Sequence, residues 1–146
     1  MFKKSIFSMK LIAVLVFLFN SHAVLAQTVE SVQPFKVGTF AIEDRRTVGL
    51  VLQNDKIIID LAAANRALEL LPQYSKVEIP DDMIGLISQY EYGLKNRIYE
   101  IVNWIVENDL ISNQDEHSFI YAVDEVDILA PIQYPSKLMN AAVNFY

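Results

Sequence analysis

Phe35-Lys36-Val37-Gly38-Thr39-Phe40-Ala41-Ile42, then Glu43-Asp44-Arg45-Arg46, then Thr47-Val48-Gly49-Leu50-Val51-Leu52, and finally Asn54-Asp55 followed by Lys56-Ile57-Ile58-Ile59: this stretch decides the fold. Its three apolar runs are rich in β-branched and aromatic residues, which suit a pleated, half-buried surface. The charged quartet 43–46 separates the first two runs. Asn54-Asp55 separates the second from the third, because both residues tolerate positive φ. Three short strands joined by tight turns read as an antiparallel β-meander.

The period changes at Asp60, which is placed to cap a helix. Leu61, Ala64, Leu68 and Leu71 follow at helical spacing, and Pro72 is expected to stop that helix. Residues 73–79 read as a loop. Pro80-Asp81-Asp82 then opens a second helix, with Asp81 as the expected cap and both carboxylates favoured by the helix dipole. Met83, Ile87, Tyr90, Leu94, Ile98, Ile101 and Ile105 advance in steps of 3 and 4, one apolar stripe along a long amphipathic helix over 82–107. Gly85 and Gly93 interrupt its propensity, so a kink is expected near Gly93. Residues 110–118 read as a polar loop. Phe119–Val123, Val126–Ala130 and Lys137–Val143 read as further short strands, with Pro131 between the last two.

The chain has 146 residues, 53% of them hydrophobic, no cysteine and a net charge of −6. That is about one domain. Disulfides and cysteine-bound metals are excluded, and a polyanion-binding surface is disfavoured. Lys3, Lys4 and Lys10 precede the apolar run Leu11–Phe19, which at ~1.5 Å per residue is too short to cross a ~30 Å hydrocarbon core. Val24 and Ala26 fit the small-residue positions before a cut at Gln27. Residues 1–26 therefore read as a secretory signal, and the protein is expected to be secreted or periplasmic, with no membrane attachment after cleavage. Removing this segment takes three lysines and no acid, which leaves the mature chain at −9. Residues 27–34 read as a flexible lead-in.

Few residues carry a chemical signal. His117, beside Asp115 and Glu116, has the composition of a metal ligand or base. Without HExxH spacing or further convergent ligands it reads as a solvated loop histidine. Asp124, Glu125 and Asp127 would need a tight loop to hold Mg²⁺ or Ca²⁺, and they read instead as a solvated strand edge. Tyr90 belongs to the helix core. Tyr92, Tyr99 and Trp104 lie off the main stripe, placed to meet a second domain or a partner subunit. There is no phosphate-binding glycine loop and no GxSxG.

The segment Glu125-Val126-Asp127-Ile128-Leu129-Ala130-Pro131-Ile132-Gln133-Tyr134-Pro135-Ser136-Lys137-Leu138-Met139 resembles the linker and first catalytic strand of the fumarylacetoacetate hydrolase family. In that family Leu-Ala-Pro, a proline-rich bend and Lys lead into a strand ending Gly-x-Asn-Tyr. Here the strand ends Ala142-Val143-Asn144-Phe145-Tyr146, so Lys137 and Asn144 match, Ala142 replaces the usual Gly, and Phe145 stands where Tyr is common. Val37–Phe40 through Asp60-Leu61 also looks like that family's small N-terminal β domain.

The resemblance implies an α+β architecture: a small antiparallel meander, two helices, then the first strands of an incomplete mixed-β catalytic domain. Residues 35–123 would be the N-terminal domain, and 124–146 the linker and first strand of a catalytic domain cut short. It implies a parent enzyme that hydrolyses a carbon–carbon bond of an acylpyruvate-like 1,3-dicarbonyl acid with Mg²⁺, Mn²⁺ or Ca²⁺. The histidine and metal carboxylates of the family would fall after Tyr146, so this piece would itself be inactive. Asn144 and Tyr146 would sit at the lip of the substrate pocket; read without the resemblance, they are an ordinary strand end. Lys137 reads as structural. The implied partners are the chain's own catalytic domain and a small oxo-acid; the helix aromatics independently suggest a second copy as a further partner. The rival reading is a small secreted binding or dimerisation domain without chemistry.

Overall fold

A computed structural model describes residues 29–137. The leader 1–26, the expected strand beyond Lys137, and Asn144 and Tyr146 lie outside the described residues. The fold is α+β. Strands β1 (Lys36–Ile42), β2 (Arg45–Leu52) and β3 (Ile57–Asp60) form the meander, and β4 (Ile120–Ala122) and β5 (Asp127–Leu129) flank it. All neighbours are antiparallel in the order β4-β3-β2-β1-β5. The strand expected over 126–130 thus completes this sheet. It pairs Thr39 with Leu129 and Ala41 with Asp127.

The first turn is tighter than the charged quartet suggests. Ile42 pairs with Arg45, so Glu43 (φ 48°) and Asp44 (φ 63°) make the whole loop, and Arg45 and Arg46 belong to β2. Two central residues at positive φ give the turn whose twist matches the flanking strands. In the second turn Gln53 joins Asn54 and Asp55 at positive φ.

Phe40 fixes the centre of the sheet. Gly38 and Gly49 are directly paired across β1 and β2, and the Phe40 ring lies over both. A Cβ on Gly38 would sit 2.7 Å from the ring, and one on Gly49 would sit 2.9 Å from both the ring and the Ile59 carbonyl. The glycines therefore make room for an aromatic that is 2% exposed and packs with Ile42 and Ile58 on that face of the sheet. Val48, Leu50, Leu52, Ile57 and Ile59 supply the other face, against the helices.

Helix α1 (Leu61–Leu68) begins at Asp60 as expected and buries Leu61, Ala64 and Leu68. It ends four residues before Pro72, where Asn65, Glu69 and Arg97 grip the loop that follows. Glu69 accepts the Val77 N–H at 2.7 Å, Asn65 donates to the Val77 carbonyl at 2.8 Å and to Glu69 at 3.0 Å, and the buried Arg97 donates to the Ser75 carbonyl. Residues 73–79 are thus a loop held at both backbone groups of Val77.

The long helix expected over 82–107 is two. Helix α2 (Met83–Gln89) is capped by Asp82, not Asp81: its carboxylate accepts the Ile84 and Gly85 N–H groups at 2.8 and 3.0 Å. A 3₁₀ turn over Tyr90–Tyr92 follows, and Gly93 at φ 113° breaks the helix. Helix α3 (Leu94–Glu107) then restarts. The stripe Leu94, Ile98, Ile101, Ile105 is buried as the spacing predicts. Before Gly93 the phase differs: Leu86 is buried and Ile87 is exposed. The left-handed residue rotates one apolar stripe relative to the other, a conformation only glycine adopts without strain. Residues 110–116, expected as a loop, form 3₁₀ turns. The lead-in is also tied: Asn103 accepts the Val32 N–H and donates to the Glu30 carbonyl, both at 2.8 Å.

Gly49→Ala is expected to lower stability by about 1–3 kcal/mol, since neither the Ile59 carbonyl nor the packed ring can withdraw freely; a urea midpoint equal to wild type would refute the close approach. Glu69 has its pKa held below the carboxylate value of 4.5, first by the Val77 N–H. Its contribution is therefore present above that value and lost as pH falls through the lower folded one. Below pH 4.5 the urea midpoint should fall more steeply for wild type than for Glu69→Gln, and equal slopes would rule out this role.

Candidate functional site

The residues singled out by type do not converge. His117 is half-buried rather than freely solvated, its ring tilted on Phe119 at 5.4 Å, and Phe119 in turn meets Trp104 at 5.8 Å. Tyr99 packs edge-on against Phe35 at 5.8 Å. Tyr99 and Trp104 are thus engaged inside the chain, and of the helix aromatics only Tyr92 stands clear, at 90% exposed. Burial first, and then a hydrogen bond to Tyr99, hold the Tyr90 hydroxyl above its ordinary pKa.

The acidic run is not a strand. Asp124 and Glu125 lie in a 3₁₀ turn, where Glu125 accepts the Ala122 N–H at 2.7 Å, and Asp127 opens β5. With Glu43 and Asp44 these residues line a shallow hollow of about 260 Å³. Among the described residues no group of histidine and carboxylate side chains is placed to hold a metal ion.

Two features stand out that residue type alone did not reveal. The first is a polar knot around Asp60, which is fully buried. One carboxylate oxygen accepts the Ala63 N–H at 3.1 Å and the Thr47 hydroxyl at 3.3 Å, and the other accepts from Arg45 at 2.6 Å. The Asp60 N–H donates to the Phe119 carbonyl at 2.9 Å. The hydrogen bond to Asp60, and then its charge, raise the Arg45 pKa. Burial first, and then the charge of Asp60, raise that of Tyr121, whose hydroxyl donates to the Ser118 carbonyl at 2.7 Å. Arg45 itself is more than half exposed, so its ion pair adds little beyond neutralising the carboxylate. The knot positions backbone and presents no reactive group.

The second feature is an apolar face along α2. On one side Met83, Leu86, Ile87, Tyr90, Phe35 and Tyr99 line an open groove of about 790 Å³. On the other, Met83 and Ile84 face Pro131–Tyr134 across a hollow of about 180 Å³. The segment after β5 is fastened there: Thr39 donates to the Pro131 carbonyl at 2.9 Å and Arg46 to Gln133 Oε1 at 2.7 Å. Ile84 (53% exposed), Ile87 (60%), Ile132 (40%) and Tyr134 (82%) gather on this face. Contiguous exposed apolar surface marks an interaction site. The sequence places Ile87 on the stripe of Met83 and Tyr90, and only the break at Gly93 leaves it outside with Ile84. Among the described residues no helix is long and apolar enough to cross a membrane. The sequence matches no protein-family model and no curated protein.

The knot has a direct test. Asp60→Ala removes a helix cap and leaves the buried Thr47 hydroxyl and Ala63 N–H short of an acceptor, for an expected loss of about 2–4 kcal/mol by chemical denaturation. Asp60→Asn keeps one accepting oxygen and should lose less than half as much. If the two variants melt together, the charge and not the cap is what holds the junction.

Proposed function

We propose that residues 35–123 form the non-catalytic N-terminal domain of an exported, fumarylacetoacetate-hydrolase-like, divalent-metal-dependent hydrolase, with 124–146 as the linker and first strand of its catalytic domain. Its substrate class is an acylpyruvate-like 1,3-dicarbonyl acid, and the bond cleaved joins two carbons. The domain is a scaffold that stands beside the catalytic domain and helps shape one wall of its pocket, with Asn144 and Tyr146 at the lip. Mg²⁺, Mn²⁺ or Ca²⁺ would be bound by residues of the catalytic domain and would polarise the dicarbonyl. No catalytic step falls to the residues of this domain.

The observation that carries this reading is the exit of the chain. β5 lies within the segment whose sequence resembles the family's linker, and the residues after it are fastened to β1 and β2 through Pro131 and Gln133. A linker held to its scaffold delivers the next domain from a defined position, as a pocket wall requires. The exposed apolar face on α2 also favours the rival reading, a small secreted binding or dimerisation domain.

The coding frame after the Tyr146 codon separates the two. The resemblance implies a histidine within about two residues and a Glu-x-Glu pair downstream. The protein expressed with that continuation should consume an acylpyruvate in the presence of Mg²⁺ or Mn²⁺, followed by loss of the dicarbonyl's ultraviolet absorbance, and chelation should abolish the rate. A frame that lacks those residues, or a continued protein inert on acylpyruvates with every one of the three ions, overturns the proposal.

A further inference from the structure

We infer that the corner between α2 and α3 binds an alkylammonium amphiphile, its cation held on the Tyr90 and Tyr99 rings where Lys95 now sits, its chain laid in the apolar groove beside them. The first observation is the cation already there. Lys95 places its ammonium 5.9 Å from the centroid of the Tyr90 ring and 6.0 Å from that of Tyr99. Aromatic faces attract a cation within about 6 Å. Among the described residues the ion pairs are Lys36–Asp55, Arg45–Asp60 and Arg97–Glu100, so Lys95 enters none. The chain's own lysine thus stands in for a ligand's head group.

The second is charge. Lys95 shares a hollow of about 640 Å³ with Glu30 and Glu91, and neither carboxylate enters an ion pair among the described residues. Glu91 is also the one charged residue among those described that line the apolar groove. Two acids stand against one base, in a chain of net charge −6. That balance favours a positive head group over a carboxylate.

The third is shape. The groove and the hollow share Ser31, Tyr90, Glu91 and Tyr99 in their walls, so a cation on the tyrosines sits at the border of both. Beyond that border Phe35, Val37, Met83, Leu86 and Ile87 offer apolar walls. Ile87 is 60% exposed, and an alkyl chain laid against it removes that surface from water. The lead-in adds Ser31 and Gln33 to the wall, and Asn103 holds it through the Val32 N–H and the Glu30 carbonyl. The groove's volume of about 790 Å³ lies within the roughly 300–1,000 Å³ of small-molecule sites, so the occupant is a small amphiphile and not a protein segment. The inference holds whether or not the parent protein is a hydrolase.

Decyltrimethylammonium, kept below its micelle concentration, is the probe, with decanoate and tetramethylammonium for comparison. Titration calorimetry on the purified protein is expected to give one site, with decanoate weaker by about tenfold or more. The Met83 methyl resonance should move with decyltrimethylammonium and stay still with tetramethylammonium, which has the cation without the chain. Lys95→Met frees the rings and should tighten binding about threefold, whereas Glu91→Gln should weaken it about threefold. Lys95 is half-buried and Glu91 exposed, so both variants are expected to keep the wild-type circular dichroism. Equal affinity for decanoate, an unmoved Met83 methyl, or unchanged binding in either variant would overturn the assignment. So would absence of decyltrimethylammonium binding, and a lysine-bearing amphipathic peptide that binds in its stead would give the groove to a protein partner.

Discussion

Asp60 is the junction on which the rest of the fold depends. It is the last residue of β3 and the cap of α1, it accepts from Thr47 on β2, and its own N–H meets the Phe119 carbonyl just before β4. Four elements therefore meet at one fully buried carboxylate and its backbone. Removing such a group from water is costly unless every lone pair finds a donor. Here Ala63, Thr47 and Arg45 supply those donors. Once this junction is set, α1 can leave the sheet in only one direction. The α1 core face then meets Leu50 and Leu52 of β2 and the Ile98–Ile101–Ile105 ridge of α3.

A second constraint shapes the surface that matters for interaction. Gly93 divides what would be one helix into two with different apolar phase. α3 spends its stripe on the core. α2, shorter and rotated, commits Met83 and Leu86 and leaves Ile84 and Ile87 outside. The apolar face is therefore a product of the break, not of any excess of hydrophobic residues in the chain as a whole. Were residue 93 able to hold right-handed dihedrals within a continuous helix, Ile87 and Ile98 would fall on the same stripe.

Much of this was legible in the residues. The three strands of the meander, the Asp60 cap, the Leu94–Ile105 stripe and the strand near residue 128 all follow from local periodicity and turn chemistry, which act over a few residues. Misplaced features share another cause: they are decided by contacts between distant segments. The helix cap moves from Asp81 to Asp82 because Met83 and Leu86 must face the core. Arg45 and Arg46 enter β2 because the two-residue turn matches strand twist, although the run of four charges reads as loop. β5 joins the first sheet because β1 offers an open edge, and no local pattern announces which edge a three-residue strand will choose. The apolar face was the least legible, since Ile84 and Ile87 look like ordinary members of an amphipathic helix until the break at Gly93 is known. Asn144 and Tyr146 were reached only by resemblance, and they lie outside the described residues.

The pairing of β5 with β1 has a topological consequence. Thr39 faces Leu129 and Ala41 faces Asp127, so the two strands run in opposite directions along one edge. The backbone that arrives at Lys36 and the backbone that departs after Leu129 consequently share one corner of the sheet. Entry to and exit from the sheet are thereby coupled: a pull on the segment after Leu129 is borne by the same β1 edge that receives the chain at Lys36, so the two ends of the sheet segment load one corner together.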